Sequence, residues 1–400
     1  MQPSTAKGNE IQNDYTIELL TEETGFVSYE IYSIVQDKKG FLWFGTGENG
    51  IMRYDSRKVM QLEAGEAGNT NLSHNEAGNL MHDKQGNIWV GTWGAGVNKY
   101  NPKSGRFEYF NHSSTLGDSI SGNRIQSLFQ DSEGQYWFGS YADGLNLYLG
   151  QGKFKRFPYQ NRTQQGPSHN RIWDIEELDS QRLLIATSYG LNIFNKSTET
   201  FSNFLPDPNS DSPTGANEIR NILVLANGDI LVGTQNGPFL FDVEKGHFFS
   251  LLTDKGDKLG QINSVIEDHS GNIWLVSSTG LFVMQRGNEH FEYFPLGSDN
   301  SLRIVFEDSS GVLWVTSEID GIYKLSPNRK FRSINQEVLV SPNAITTDSD
   351  GNLLIVTATS SLYRWHVSEQ TLELLVEDLF QYDERDNQNR QQEKQVYSPS

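Results

Sequence analysis

The chain has no cysteine among its 400 residues. That excludes disulfides, a thiol nucleophile and a thiolate metal site, and it suits an oxidising or a reducing compartment equally. Basic residues are scarce: 32 Lys and Arg stand against 51 Asp and Glu, a formal charge of −19. A surface with that balance repels phosphate backbones, so nucleic acid is not an expected partner. No apolar run reaches the length of about 18 residues at which a membrane-spanning helix is read. The opening MQPSTAKGNEIQND lacks the basic and apolar regions of a secretory leader, which fits an intracellular protein or one whose leader has been removed. Catalytic signatures are missing too. The eight histidines form no H-E-x-x-H pair, and no G-x-S-x-G elbow, phosphate loop or kinase motif occurs. No cofactor or metal site is expected.

What the chain does contain is one pattern repeated eight times. An Asp is followed by two polar residues, Gly, two further residues and an anchoring Trp or aliphatic, then a small-residue turn and an aromatic-ended run. Clear copies are DKKGFLWFGTGENGIMRY (Asp37 to Tyr54), DKQGNIWVGTWGAGVNKY (Asp83 to Tyr100) and DSEGQYWFGSYADGLNLY (Asp131 to Tyr148). The anchor falls at Trp43, Trp89, Trp137, Leu184, Leu231, Trp274, Trp314 and Leu354, in steps of 40 to 48 residues. A strand-rich repeat of that length predicts an all-β fold, a β-propeller with one blade per repeat.

Alternation of period two within each copy fits half-buried antiparallel strands. The innermost strand precedes the Asp, as at Ile31 to Val35, Ile125 to Phe129, Ile262 to Ile266 and Leu302 to Phe306. The Asp can accept a hydrogen bond from the backbone two residues on, and the Gly tolerates positive φ, so Asp37–Gly40 and its counterparts read as one tight turn. The Trp of the second strand has the area to fill the wedge between blades, and its indole N–H needs an acceptor, for which a neighbouring blade's backbone is a candidate. Outer strands carry paired apolar residues three apart, as at Phe107/Phe110, Phe154/Phe157 and Phe331/Ile334. Repeat four has Arg182 at the turn Gly position, and repeats four, five and eight lack the anchor Trp.

The ends bear on the count. Tyr15 to Leu20 matches an outer strand but precedes any blade, which is how a propeller ring ties its two chain ends together. Val396 to Ser400 resembles Val340 to Asn343, the lead-in to the eighth inner strand. A ninth repeat is therefore expected beyond, with Asp383 to Gln395 as a surface loop or a disordered tail. The domain expectation is a polar stub (1–14), a seven-bladed propeller closed by the N-terminal strand (15–327), and the first blade of a second propeller (328–400). A single eight-bladed ring is the alternative.

The D-x-x-G-x-x-W-x-G-T…G-L-x-x-Y pattern, clearest at Asp83–Tyr100 and Asp131–Tyr148, resembles the two-component regulator propeller repeat. The resemblance implies two successive seven-bladed propellers in a periplasmic sensor region. A membrane helix and a histidine kinase or diguanylate cyclase module would follow in a longer chain. It implies a ligand-sensing input domain with no catalytic role of its own, responding to a polar small molecule such as an oligosaccharide, with a homodimer as the signalling unit.

In a propeller the loops joining second to third strands share a face with those joining one blade to the next, and that face surrounds the central funnel. The expected ligand residues there are Glu48, Asn49, Trp93, Tyr141, Asp143, Tyr189, Glu318 and Asp320 from the first set of loops. Asn123, Arg124, Asn170, Arg171 and Trp173 come from the second. Arg220, Gln235 and Asn217 belong to the same loops. Aromatic faces stack on sugar rings while amides, carboxylates and guanidiniums read hydroxyls. Turn chemistry and packing account equally well for any single Asn or Asp of this set. Arg124 and Arg171 share an Asn-Arg-Ile context in adjacent blades; they can receive a carboxylate or sulfated sugar, or each can pair with a local Asp. Two alternatives stand beside the sensor: a propeller lyase or hydrolase using His74, Glu76 and His169, and a protein-binding scaffold.

Overall fold

A computed structural model describes residues 11–26, 30–65, 68–160, 163–210, 212, 215–297, 301–328, 342–348, 351–366 and 371–377. Its strands form eight four-stranded antiparallel sheets. Blade 1 runs outward from the centre as Ile31–Gln36, Leu42–Thr46, Ile51–Tyr54 and Val59–Leu62. The inner strands of blades 2 to 7 are Ala77–His82, Ile125–Gln130, Ile172–Asp179, Ile219–Val224, Ile262–Glu267 and Leu302–Glu307. Successive inner strands lie against one another, and that of blade 7 lies against that of blade 1, so the seven sheets close into a ring.

The fourth strand of blade 7 comes from the N-terminus. Tyr15–Leu20 pairs antiparallel with Gly321–Pro327, from Tyr15 opposite Pro327 to Leu20 opposite Ile322. Side chains fasten the same seam: Thr16 Oγ1 donates to Asn328 Oδ1 at 2.6 Å, and Gln12 Nε2 to the Pro295 carbonyl at 3.0 Å. Tyr15 meets Trp274 edge-on at 5.7 Å. Burial, with the charges of Asp268, Glu307 and Asp14, pushes the Tyr15 phenol up to about 12.

The repeated turn works through both carboxylate oxygens of its Asp. In blade 1, Asp37 Oδ1 accepts from Lys39 N at 2.9 Å and Phe41 N at 3.1 Å, while Gly40 sits at φ 86°. The second oxygen corrects the expected acceptor of the indole. Trp43 Nε1 donates to Asp37 Oδ2 at 2.9 Å, and the same bond joins Trp89 to Asp83, Trp137 to Asp131, Trp274 to Asp268 and Trp314 to Asp308 at 2.8–3.0 Å. A Trp six residues after the Asp, across a tight hairpin, brings its N–H to its own turn, so no neighbouring backbone is needed. Where the Trp is absent in blade 4, Arg182 Nε takes the place of the indole on Asp179 Oδ2 at 2.7 Å.

The indole rings do fill the wedges between blades. Trp137 is 2 % exposed and shares a core with Ile172, Ile175, Leu183 and Phe194 of blade 4, while Trp314 closes the ring against Ile31, Phe44 and Met52 of blade 1. Polar bonds cross the same interfaces at the turn face. A Gln or Glu at or near the end of an inner strand accepts a backbone N–H from the preceding blade's turn: Gln36 from Ser309 at 2.7 Å, Gln130 from Lys84 at 2.8 Å, Glu177 from Ser132 at 2.9 Å, Glu267 from Ala226 at 2.7 Å and Glu307 from His269 at 2.8 Å. Lys196, 9 % exposed at its side chain, reinforces one interface through Asp131 at 2.8 Å and Glu177 at 3.2 Å.

The chain divides at Asn328/Arg329 into two compact units. The second contains the eighth sheet, Pro342–Thr347, Leu353–Thr357, Leu362–His366 and Thr371–Val376. All of Pro342–Thr347 is exposed, Ile345 to 60 %. Phe331/Ile334, Asp383 to Gln395 and Val396 to Ser400 lie outside the described residues.

Candidate functional site

One backbone bond recurs at the mouth of the channel in every blade of the ring. The residue just before each inner strand offers its carbonyl to a backbone N–H of the loop joining the second and third strands. The pairs are Glu30–Gly47 (2.9 Å), Glu76–Trp93 (3.0 Å), Arg124–Tyr141 (2.9 Å), Arg171–Ser188 (3.3 Å), Glu218–Gln235 (3.2 Å), Gln261–Ser278 (2.8 Å) and Ser301–Glu318 (3.0 Å). The backbone is the same seven times; the pair of residues that makes the bond changes from blade to blade, with Glu recurring at 30, 76 and 218 and Arg at 124 and 171. A rigid repeated frame thus holds variable groups side by side around the mouth, which is the arrangement a recognition site requires.

Blades 2 to 5 gather aromatic rings and guanidiniums. Trp93 and Tyr141 meet edge-to-face, 4.7 Å between centroids. Arg124 lies 6.0 Å from the Trp93 ring and 5.2 Å from Tyr141. Arg171 sits 3.7 Å over Tyr141 and 5.1 Å from Trp173, and Arg220 is 4.7 Å from the Trp173 ring. Trp173 is held in place by its indole N–H, which donates to Ser188 Oγ at 2.9 Å. Contacts of this kind are each worth about 0.5–2 kcal/mol, enough to orient a guanidinium and leave its N–H edge free.

Two cavities open here. One, of about 480 Å³, is the channel mouth, with Trp93, Trp173, Arg220, Tyr32, Glu76 and Arg303 on its wall. The other, of about 470 Å³, lies beside it between Tyr141, His169, Asn170, Arg171, Ser188 and Glu218. Both are of the size that takes a small ligand. Burial lowers the His169 imidazole below its ordinary value, so the ring is neutral near pH 7. Its Nδ1 accepts the Arg171 backbone N–H at 2.9 Å, which puts the ring proton on Nε2.

The four arginines of the mouth differ in their partners. Arg220 pairs with Glu218 at 2.8 Å, and Arg303 pairs with Glu318. Arg124 and Arg171 have no ion pair among the described residues, so the local Asp partners considered from sequence are not found. Burial, followed by the Arg220 and Arg124 charges acting against nearby Glu218, makes the Arg171 charge less favourable than in water.

Of the thirteen residues expected from sequence, Trp93, Arg124, Tyr141, Arg171 and Trp173 come together in this cluster. The amides of Asn123 and Asn170 are occupied, accepting from His112 N at 2.7 Å and Tyr159 N at 2.8 Å to hold the end of an outer strand. Asp143 is fixed by Ser140 Oγ and packs against Gly122. Tyr189 is 7 % exposed. Glu318 is engaged with Arg303, and Asp320 accepts the Tyr323 hydroxyl at 2.7 Å. Glu48 is exposed and Asn49 half-buried on the separate loop of blade 1. Glu218 and Ser188 were missed; their signal was position, since each aligns with a mouth residue of the neighbouring repeat. His74 and His169 belong to blades 2 and 4, and among the described residues no group of three His, Cys, Asp or Glu is arranged to hold a metal.

One more departure from the repeat lies deeper. The residue opposite the anchor on the inner strand is Val35, Met81, Phe129, Leu223, Ile266 or Phe306 in six blades and Glu176 in blade 4. Burial and the neighbouring Asp174 push the Glu176 carboxyl up to about 8. Asp174, which accepts Ile222 N of blade 5 at 2.9 Å, is pushed up to about 7 by burial.

Residues 25–48, 71–94 and 119–142 match the model of the two-component regulator propeller. No curated protein matches the chain. Among solved structures it is similar to the extracellular domain of a putative hybrid two-component system of B. thetaiotaomicron, at 20 % identity and a TM-score of 0.68 over 90 % of this chain. The match spans 54 % of that domain, so the chain covers about half of its length. Virginiamycin B lyase of Staphylococcus aureus is similar at 15 % identity and a TM-score of 0.59, covering 78 % of this chain and 99 % of the lyase. PorZ, a surface component of the type-IX secretion system of Porphyromonas gingivalis, is similar at 18 % and 0.50, over 84 % of this chain and 52 % of PorZ. These identities speak for a shared propeller fold. No helix among the described residues is long and apolar enough to cross a membrane.

Proposed function

We propose that this chain, three of whose repeats match the two-component regulator propeller, is the ligand-sensing input domain of a bacterial transmembrane signalling protein. It would work in the periplasm and report to a histidine kinase or diguanylate cyclase module elsewhere in a longer polypeptide. The sheet that follows Asn328 would be the first blade of a second propeller, and the exposure of its inner strand supports that reading, because further blades of that ring would cover such a strand. The relative of which this chain spans 54 % supports it as well.

The observation that carries the sensor reading is the cluster Trp93, Arg124, Tyr141, Arg171 and Trp173 at the channel mouth. Ring faces and guanidiniums on a rigid frame suit a polar, ring-bearing ligand, and a carbohydrate fits that description. Signalling requires only that the ligand favour one arrangement of propellers or dimer over another. Thermal melting against a panel of oligosaccharides tests the idea. A true ligand at a hundred times its Kd stabilises the fold by about 2.7 kcal/mol. The double variant Trp93→Ala, Tyr141→Ala should lose that rise while the free protein melts nearly as before. Loss of the fold instead would make these rings packing residues, and an undiminished rise would put the site elsewhere.

A further inference from the structure

We propose that the ligand carries an oxyanion on a sugar ring, a uronate carboxylate or a sulfate ester, received between Arg124 and Arg171. The inference rests on the channel mouth being the ligand site and names what that site selects. Three observations lead to it. First, acids outnumber bases 51 to 32 in the chain, yet the mouth places two arginines against one tyrosine ring, at 5.2 and 3.7 Å, with no ion pair among the described residues. Second, the acid nearest to hand is already committed: Glu218 pairs with Arg220 at 2.8 Å, just as Glu318 pairs with Arg303. Two mouth arginines are neutralised and two are not, so shortage of space does not explain the difference. Third, Arg171 is half-buried, and burial with the Arg220 and Arg124 charges makes its charge less favourable than in water even though nearby Glu218, itself paired with Arg220, acts the other way.

A partly desolvated guanidinium without a counter-ion is unfavourable, and an incoming anion removes the cost. Arg171 Cζ is held 3.7 Å over the Tyr141 ring, and its planar guanidinium carries the N–H fork for the paired hydrogen bonds that carboxylate and sulfate accept. The neutral His169, with its proton on Nε2, adds an uncharged donor to the wall of the same cavity. Trp93 and Trp173, on the wall of the neighbouring cavity of about 480 Å³, add aromatic surface beside the pair against which a pyranose can pack. A neutral sugar would use the rings and leave both charges unanswered. The net charge of −19 opposes any anion at long range, so affinity should come from short-range contacts and survive moderate salt.

Isothermal titration calorimetry of the whole chain provides the test, with four probes: inorganic sulfate, an oligogalacturonate, a sulfated galactan oligosaccharide and the neutral galactan oligosaccharide of the same length. The oligosaccharides differ in the anion and share the ring. The expected result is binding of one or both anionic sugars at least tenfold tighter than the neutral one, with saturable weak binding of sulfate. The sugar preferred tells carboxylate from sulfate ester. Arg171→Gln should abolish the preference, and Arg124→Gln, at an exposed position that the fold does not need, should reduce it about tenfold. Equal binding of neutral and anionic sugars, or a preference that survives both substitutions, would overturn the proposal. So would failure of every anion, sulfate included, to bind. Failure of the site itself shows differently: sugar binding of either kind that is untouched by Trp93→Ala and Tyr141→Ala.

Discussion

The two faces of the ring are built from the same repeats and treat their polar groups in opposite ways. At the turn face the polar groups are satisfied within the ring, by their own repeat or by the next. Asp37, Asp83, Asp131, Asp268 and Asp308 accept the indole of their own repeat, and Gln36, Gln130, Glu177, Glu267 and Glu307 take a turn N–H from the blade before. At the mouth the backbone bond repeats while the pair of residues that makes it changes from blade to blade, and Arg124 and Arg171 stand without ion pairs among the described residues. Groups that recur at one blade position build the ring. Groups that break the recurrence are free to serve something outside it.

That comparison can be broken most forcefully at the turn face. Trp137→Ala empties a wedge shared with blade 4 and removes one of the two donors to Asp131 Oδ2, leaving Lys196; it should cost about 3–5 kcal/mol, read from urea denaturation. A loss below 1 kcal/mol would mean that the rings are not what joins the blades. Asp131 carries a pH signature of its own. Burial alone would raise its carboxyl, but hydrogen bonds from Lys196, Trp137 and Gln135 N together hold it below the ordinary value. Its contribution is therefore present above the ordinary carboxylate pKa and fades as pH falls through the lowered one.

Glu176 should show the opposite sign. In the folded ring it holds its proton up to about 8, whereas the unfolded chain loses it near 4.5. Stability must then fall as pH rises between those values, and Asp174, pushed up to about 7, adds to the slope. Glu176→Leu, which restores the residue type of the other blades, should raise the melting temperature at pH 8 by several degrees and flatten its pH dependence. A lowered melting temperature at pH 8 would show that the carboxylate is stabilising where it sits.

Smaller effects sharpen the contrast. Gln36→Ala removes the acceptor of Ser309 N across the blade 7–blade 1 seam and should cost about 0.5–1.5 kcal/mol in the same denaturation experiment. Arg124→Gln at the mouth should change stability by less than about 0.5 kcal/mol, because Arg124 is exposed and unpaired among the described residues. A stability loss at Arg124 equal to that at Gln36 would erase the distinction between the two faces.

Sequence carried the ring far better than the mouth, for a physical reason. Repetition makes a turn Asp, a wedge Trp or a positive-φ Gly visible several times over, with the wedge Trp in five of the eight repeats, and Tyr15 to Leu20 stood out because it was an outer strand without a blade. The partner of the indole was nevertheless misjudged, since alternation gives the face of a strand but not the reach of a side chain around a hairpin. The Gln or Glu directly before the turn Asp, at 36, 130, 267 and 307, was written in the sequence as a recurring pair and passed unread. At the mouth, loop position was legible and partnership was not. Asn123 and Arg124 are adjacent in sequence, yet one amide is consumed by His112 N and the neighbouring guanidinium is left open. Only distances between blades separate the two.

The eight tryptophans offer the most direct test of this division. Five indole N–H groups, those of Trp43, Trp89, Trp137, Trp274 and Trp314, are tied to a turn Asp, while Trp93 and Trp173 stand at the mouth. Indole ¹H–¹⁵N spectra recorded while the oligogalacturonate or sulfated galactan is titrated in should show Trp93 and Trp173 moving together to saturation and the five turn-bound signals standing still. Saturating shifts confined to the turn-bound indoles, with Trp93 and Trp173 unmoved, would contradict the account and place the ligand on the face assigned to structure.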